Sequence, residues 1–255
     1  MADSKNDVVA NKLAALHLEF KNQLPNKISE IQELWHLLQN GQATNVDLAS
    51  LHRVTHSLVG SGGTFGAVAV SEMARKLEQV FKSLLSDRDI PALPSADVQQ
   101  NVVELLVQLI EASDSWQPNG MKPFELRESV RVEVDRVIYL VEDDEFLAKD
   151  LKMKLEYAGY RVQHYLELSE FETAFEKEVP AAILMDIVFK DGEVAGSDTI
   201  KRITNKYKEC PPAIFISVRD DAEARLSAAS AGARRYFCKP LNMEKLILAL
   251  DGLIE

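Results

Sequence analysis

Four acids, a hydroxyl and an ammonium fall where a parallel sheet usually places its chemistry. Glu142, Asp143 and Asp144 follow the apolar run at 137–141, and Asp186 follows the one at 181–185. Ser217 closes the run at 213–217, and Lys239, ahead of Pro240, ends the run at 234–238. Open parallel sheets bind their ligands beyond the carboxyl ends of the strands, near the point where strand order reverses. Acids from the first and third strands would therefore converge, with Ser217 and Lys239 beside them. Closely spaced carboxylates repel and call for a cation, and hard oxygen donors suit Mg²⁺. A carboxylate beside such a metal attacks phosphorus and forms an acyl phosphate. That transfer is mostly positioning and charge neutralisation. Lys239 would neutralise one phosphoryl oxygen, and Ser217 would donate a hydrogen bond to another.

A second reactive candidate is a histidine. Of the five, His17, His36, His52 and His164 read singly as surface or boundary residues, but His56 has distinctive surroundings. At 100° per residue, Leu51, Thr55 and Leu58 define an inward helical face. His56 then points roughly 120° from the centre of that face, toward solvent. Gly60 follows one turn later on the same outward side. A glycine inside a helix costs about 1 kcal/mol against alanine, so its presence suggests room kept for a partner or a phosphoryl group. His52 lies nearer the boundary and reads as structural.

These residues need elements to hold them. From 1 to 116 the chain reads as helix after helix. Ile28, Ile31, Trp35 and Leu38 form one apolar stripe, Leu48, Leu51 and Leu58 another. Met73, Leu77, Phe81 and Leu84 form a third, and Val102, Leu105, Leu106 and Leu109 a fourth. Such stripes mark amphipathic helices packed as an up-and-down bundle. A further helix around Leu13–Phe20 is expected to end before Pro25. Residues 117–136 begin with turn formers, become charged and read as a linker. From 137 to 255 short apolar runs (137–141, 161–165, 181–185, 213–217, 234–238) alternate with helical stretches, the pattern of parallel βαβ units.

Composition narrows the function. The formal charge is −11. Residues 1–120 carry 9 basic and 14 acidic side chains, and residues 137–255 carry 16 and 22. Neither half has a basic stripe, so nucleic-acid binding by this chain is not expected. No run of about 18 apolar residues suggests a membrane span, and the N-terminus lacks an apolar stretch of signal-peptide type. Cys210 and Cys238 lack metal-ligand spacing and point to a reducing, cytoplasmic compartment. No P-loop and no GxGxxG appears, so self-phosphorylation from ATP is not expected.

At the strand ends the resemblance becomes specific. The pieces VIYLVEDD, ILMDIVF, IFIS and YFCKP occur in order, and 137–255 resembles a response-regulator receiver domain over its full length. The resemblance implies a flavodoxin-like α/β fold with a five-stranded parallel sheet in the order 2-1-3-4-5. It implies Asp186 as phosphoacceptor, with Glu142, Asp143, Asp186 and the backbone carbonyl of Val188 holding Mg²⁺. Ser217 becomes the switch hydroxyl, Tyr236 the aromatic that moves with it, and Lys239 the lysine before a cis peptide bond to Pro240. Asp144 is a flanking acid. Two features depart from the family. Lys190 stands where proline is usual four residues after the phosphoacceptor, and the loop before Gly196 is about two residues longer.

The segment HSLVGSGGTFG with SEMARKLE at 71–78 resembles a histidine phosphotransfer domain, an all-α four-helix bundle, over about residues 8–116. That implies His56 as the phosphohistidine, a competent nucleophile since neutral imidazole has an unperturbed pKa of about 6.5. The lysine usual three residues later is here Val59. Together the two resemblances imply a cytoplasmic phosphorelay protein. It would exchange phosphoryl groups with a sensor histidine kinase or with other receiver or phosphotransfer proteins, as a monomer or a homodimer. Two alternatives accompany this reading. The chain is the regulatory part of a larger response regulator, for example a diguanylate cyclase, or it is a metal-dependent phosphohydrolase. The second is disfavoured because the dehalogenase-type motif needs an aspartate where Val188 stands.

Overall fold

The computed structural model describes residues 2–85, 93–118, 136–192 and 194–254. Internal contacts divide the chain into Ala15–Gly120 and a second unit of Met121–Glu255 with Met1–Ala14. The expected linker at 117–136 lies almost entirely outside the described residues.

The first unit is built by α1 (Ala2–Gln39) from Ala15 onward, with α2 (Asn45–Thr64), α3 (Val68–Leu84) and α4 (Ala96–Ser115). One expectation fails: α1 does not stop before Pro25 but runs through it. The reason is a continuous buried stripe, Leu16, Phe20, Leu24, Ile28, Ile31, Trp35 and Leu38. A proline inside a helix costs about 3 kcal/mol, while each large apolar side chain buried contributes about 1.5–3 kcal/mol. The stripe on both sides of Pro25 outweighs the lost hydrogen bond. Helix α2 starts at a capping box in which Thr44 and Asp47 satisfy each other's backbone N–H groups. At its far end α2 passes close to α3. A Cβ on Gly62 would lie 3.1 Å from the Ser71 backbone nitrogen, and the Ser71 hydroxyl donates to the Val59 carbonyl at 2.7 Å.

The second unit follows the expected alternation. Its strands are β1 (Val137–Val141), β2 (Arg161–Tyr165), β3 (Ala182–Asp186), β4 (Ala213–Ser217) and β5 (Arg235–Cys238). All neighbouring pairs are parallel, in the order β2-β1-β3-β4-β5. Helices α5 (Glu145–Tyr157), α6 (Leu168–Lys177), α7 (Ala195–Lys206), α8 (Ala222–Ser230) and α9 (Met243–Ile254) connect and cover the strands. The period of two sends Ile138 and Leu140 into a core with Leu151 and Leu155 of α5 and with Leu246 and Leu250 of α9. Val137, Tyr139 and Val141 go to the opposite core, with Phe171 and Phe175 of α6 and Ile200 and Ile203 of α7. The three central strands are buried throughout, as their unbroken apolar runs require. Lys239-Pro240 is cis. Among the described residues, no helix is long and apolar enough to cross a membrane.

Candidate functional sites

In the α/β unit, parallel pairing in register brings the ends of β1 and β3 side by side, with Val141 opposite Met185. The residues just beyond therefore meet. Glu142, Asp143 and Asp186 each present a carboxylate oxygen, and these three atoms lie within 4.8 Å of one another. Lys239 reaches in from the end of β5, its Nζ 2.5 Å from Asp186 Oδ2 and 2.8 Å from Glu142 Oε2. Glu142, Asp186 and Lys239 are all buried. Burial first, then the neighbouring Asp186 charge, pushes the Glu142 carboxyl well above its ordinary range, against the pull of Lys239. Burial alone would lower the Lys239 pKa. The Asp186 and Glu142 carboxylates reverse that, and the ammonium is held charged. One cation thus serves two buried carboxylates with a third beside them, a donor set with capacity for a second, hard cation.

Asp144 does something else. Its carboxylate accepts the backbone N–H groups of Phe146 and Leu147 and caps α5, as an N-cap acid does. The flanking acid of the sequence is thus a helix cap. Val188 lies in the loop beyond Asp186 and its N–H donates to Asp186 Oδ1 at 3.4 Å. Ser217 is fully buried at the tip of β4, one residue past Ile216, which pairs with Asp186. Its Oγ accepts from Arg219 N at 3.2 Å. The half-buried Tyr236 points its hydroxyl at the Arg219 carbonyl, 2.8 Å away, and the Arg225 guanidinium lies 5.1 Å over its ring. Burial, with the Asp220 carboxylate, pushes the Cys238 thiol up to about 11, so this cysteine is no ready nucleophile.

The unusual loop after Asp186 has a local solution. Phe189 and Gly192 exchange backbone hydrogen bonds in a small antiparallel bridge. Lys190, in place of the usual proline, forms an ion pair with Glu167. The loop then returns so closely that a Cβ on Gly196 would lie 1.9 Å from the Asp186 carbonyl oxygen. Only glycine fits there.

In the helical unit His56 is not where the helical wheel put it. It is buried, with 7% of its surface exposed, and Gly60 is buried as well. The angle from the core was sound, but that direction is the seam with α3 rather than open solvent. Across the seam His56 Nδ1 lies 2.5 Å from Glu78 Oε1. His52 Nε2 is 3.9 Å from the same oxygen, and the two imidazole rings are 6.1 Å apart. Burial pushes the Glu78 carboxyl up, but the His56 hydrogen bond and the charges of His56, His52 and Arg75 outweigh it, and the net direction is down. A carboxylate on Nδ1 fixes the tautomer, leaving the Nε2 lone pair for chemistry. That Nε2 is buried and has no hydrogen-bond partner among the described residues. Glu78 carried no role in the sequence reading, although it ends the quoted segment SEMARKLE. Its position at the α2–α3 seam was the missing information.

Comparison with known proteins agrees with the two-domain organisation. Residues 138–251 match the family model of the response regulator receiver domain, and residues 15–116 match that of the Hpt domain. The chain therefore contains an Hpt domain followed by a receiver domain of the response-regulator family. Neither family model is that of a cyclase or a phosphohydrolase. Similar curated proteins include the transcriptional regulatory protein TrcR of Mycobacterium tuberculosis, 30% identical over 46% of this chain and 45% of that protein. GraR of Staphylococcus saprophyticus is 31% identical over 46% of this chain and 50% of its own length. The chain thus spans about half the length of the curated relatives it matches. Among solved structures, the non-phosphorylated HemR receiver domain of Leptospira biflexa is 30% identical, with a TM-score of 0.43, over 48% of this chain and 95% of that one.

Proposed function

We propose that this chain is a cytoplasmic phosphorelay component that carries phosphoryl groups on Asp186 in its receiver domain and on His56 in its Hpt domain. The observation that carries the reading is the grouping of Glu142, Asp143 and Asp186 around the buried ammonium of Lys239. Glu142, Asp143, Asp186 and the Val188 carbonyl would hold Mg²⁺, whose charge offsets that of the incoming phosphoryl group. The Asp186 carboxylate attacks phosphorus, the P–N bond of a phosphohistidine donor or the P–O bond of acetyl phosphate breaks, and the leaving imidazole or acetate departs with the electron pair. Lys239 and Ser217 then take phosphoryl oxygens, and Tyr236 follows Ser217 as the switch.

In the Hpt domain the His56 Nε2 lone pair attacks the phosphorus of a donor acyl phosphate. The N–P bond forms, and the P–O bond to the donor carboxylate breaks. The Nδ1 proton stays on the ring, where Glu78 balances the imidazolium charge. Partners are sensor histidine kinases and other receiver or Hpt proteins, not nucleic acid.

Incubating the purified chain with acetyl phosphate and Mg²⁺, followed by mass spectrometry, tests this. One hydroxylamine-sensitive phosphate is expected, absent without Mg²⁺ and absent in Asp186→Asn. Label that persists in Asp186→Asn sinks the assignment.

A further inference from the structure

A phosphoryl group on His56 leaves one requirement open. It brings close to two negative charges onto α2. The residue three positions on, Val59, is apolar and buried, so α2 itself supplies no lysine beside the histidine. Consecutive side chains on a helix diverge by 100°. His56 meets Glu78 of α3, and Ser57, about 100° further round, meets α1. There Lys27 Nζ donates to Ser57 Oγ at 3.0 Å. Gly60 lies one turn beyond both, at i+4 from His56 and i+3 from Ser57, and adds no side chain between them.

We propose that Lys27 is the phosphoryl-binding cation of the Hpt domain and that Ser57 is its resting partner. When Nε2 carries the phosphoryl group, the ammonium leaves the Ser57 hydroxyl and pairs with phosphoryl oxygens. The flexible four-carbon stem of lysine spans such a move without backbone change. Other cationic side chains occur on α2 and α3. Arg75 acts on Glu78. Arg53 precedes His56 by one turn, and helical side chains lean toward the N-terminus, so Arg53 leans away. Lys27 reaches α2 from a separate helix, at Ser57, the residue that follows His56. The unpartnered, buried Nε2 is the second sign that a group is received here.

This proposal rests on His56 being the phosphorylated residue, and the test separates the two. Asp186→Asn serves as parent so that only the Hpt domain takes label. A phosphorylated receiver protein is the donor, and the readouts are the equilibrium fraction of phosphohistidine and its lifetime. Lys27→Gln is expected to lower the fraction about tenfold, the order expected for a charge-assisted hydrogen bond, with an unchanged melting curve. Lys27→Arg keeps the charge and should restore most of the label. Ser57→Ala removes this hydrogen bond of the ammonium and should raise it. Label on Lys27→Gln equal to the parent, or label on Ser57→Ala below it, overturns the role of Lys27 alone. A parent that takes no label at His56 overturns the phosphorelay reading and this proposal with it.

Discussion

Replacing Gly196 by alanine should damage the receiver site without touching any of its charged groups. The added Cβ would stand 1.9 Å from the Asp186 carbonyl oxygen and 3.1 Å from Ile187 Cα. An ordinary C···O contact is about 3.3 Å, so the backbone must open by roughly 1.4 Å. The opposing atoms belong to backbone, not to a side chain that could swing aside. The Gly196 N–H also donates to the Ile187 carbonyl at 3.0 Å, so the start of α7 cannot retreat without losing that bond. Overpacking of this kind costs about 1–3 kcal/mol. Displacing a reacting group by about 1 Å costs on the order of a hundredfold in rate. The expected outcome for Gly196→Ala is therefore a fall of about 1–3 kcal/mol in urea denaturation and about a hundredfold slower labelling by acetyl phosphate. Gly252 is the control. It lies in α9, and a Cβ there meets nothing within 4 Å. Gly252→Ala should raise stability by about 0.5–1 kcal/mol and leave labelling unchanged. A Gly196→Ala protein as stable as the parent and labelled at the same rate would refute the close approach.

Glu78→Ala should slow phosphoryl transfer to His56 by roughly ten- to a hundredfold, since it removes a charge-assisted hydrogen bond of about 1.5–3 kcal/mol; rapid-quench transfer from a phosphorylated receiver measures this. Lys239→Ala leaves the buried Glu142 and Asp186 without their shared ammonium. It should cost about 3–5 kcal/mol in EDTA, and Mg²⁺ should recover more of the melting temperature in the variant than in the parent. Pro25→Ala, at an exposed site inside α1, should raise stability by about 1–3 kcal/mol in denaturant titration.

What the sequence revealed depended on how local the cause was. Strands β1, β3 and β4 were legible because burial on both faces forces a continuous apolar run, and their ends then placed Glu142, Asp186 and Ser217. The α1 boundary was misread because Pro25 is a local signal, while the stripe that overrides it spans Leu16 to Leu38. His56 was placed at the right angle on α2 but in the wrong environment. A helical wheel gives direction on one helix and says nothing of the neighbour that fills it, here α3 with Glu78. Lys27 and Ser57 are thirty residues apart in the chain, and no spacing rule joins them. Asp144 was grouped with the acids by adjacency, whereas its φ of −80° and ψ of 105° make it the cap of α5.

The central claim is that this one chain carries phosphoryl groups on both an aspartate and a histidine. Phosphosite mapping of the intact chain after incubation with a phosphorylated partner receiver and Mg²⁺ tests it most directly, with gentle handling at neutral to alkaline pH to preserve phosphohistidine. The account predicts phosphate on His56 and on Asp186, with His56→Gln and Asp186→Asn each removing its own signal. Phosphate found on neither residue, or on another histidine such as His52, would contradict it.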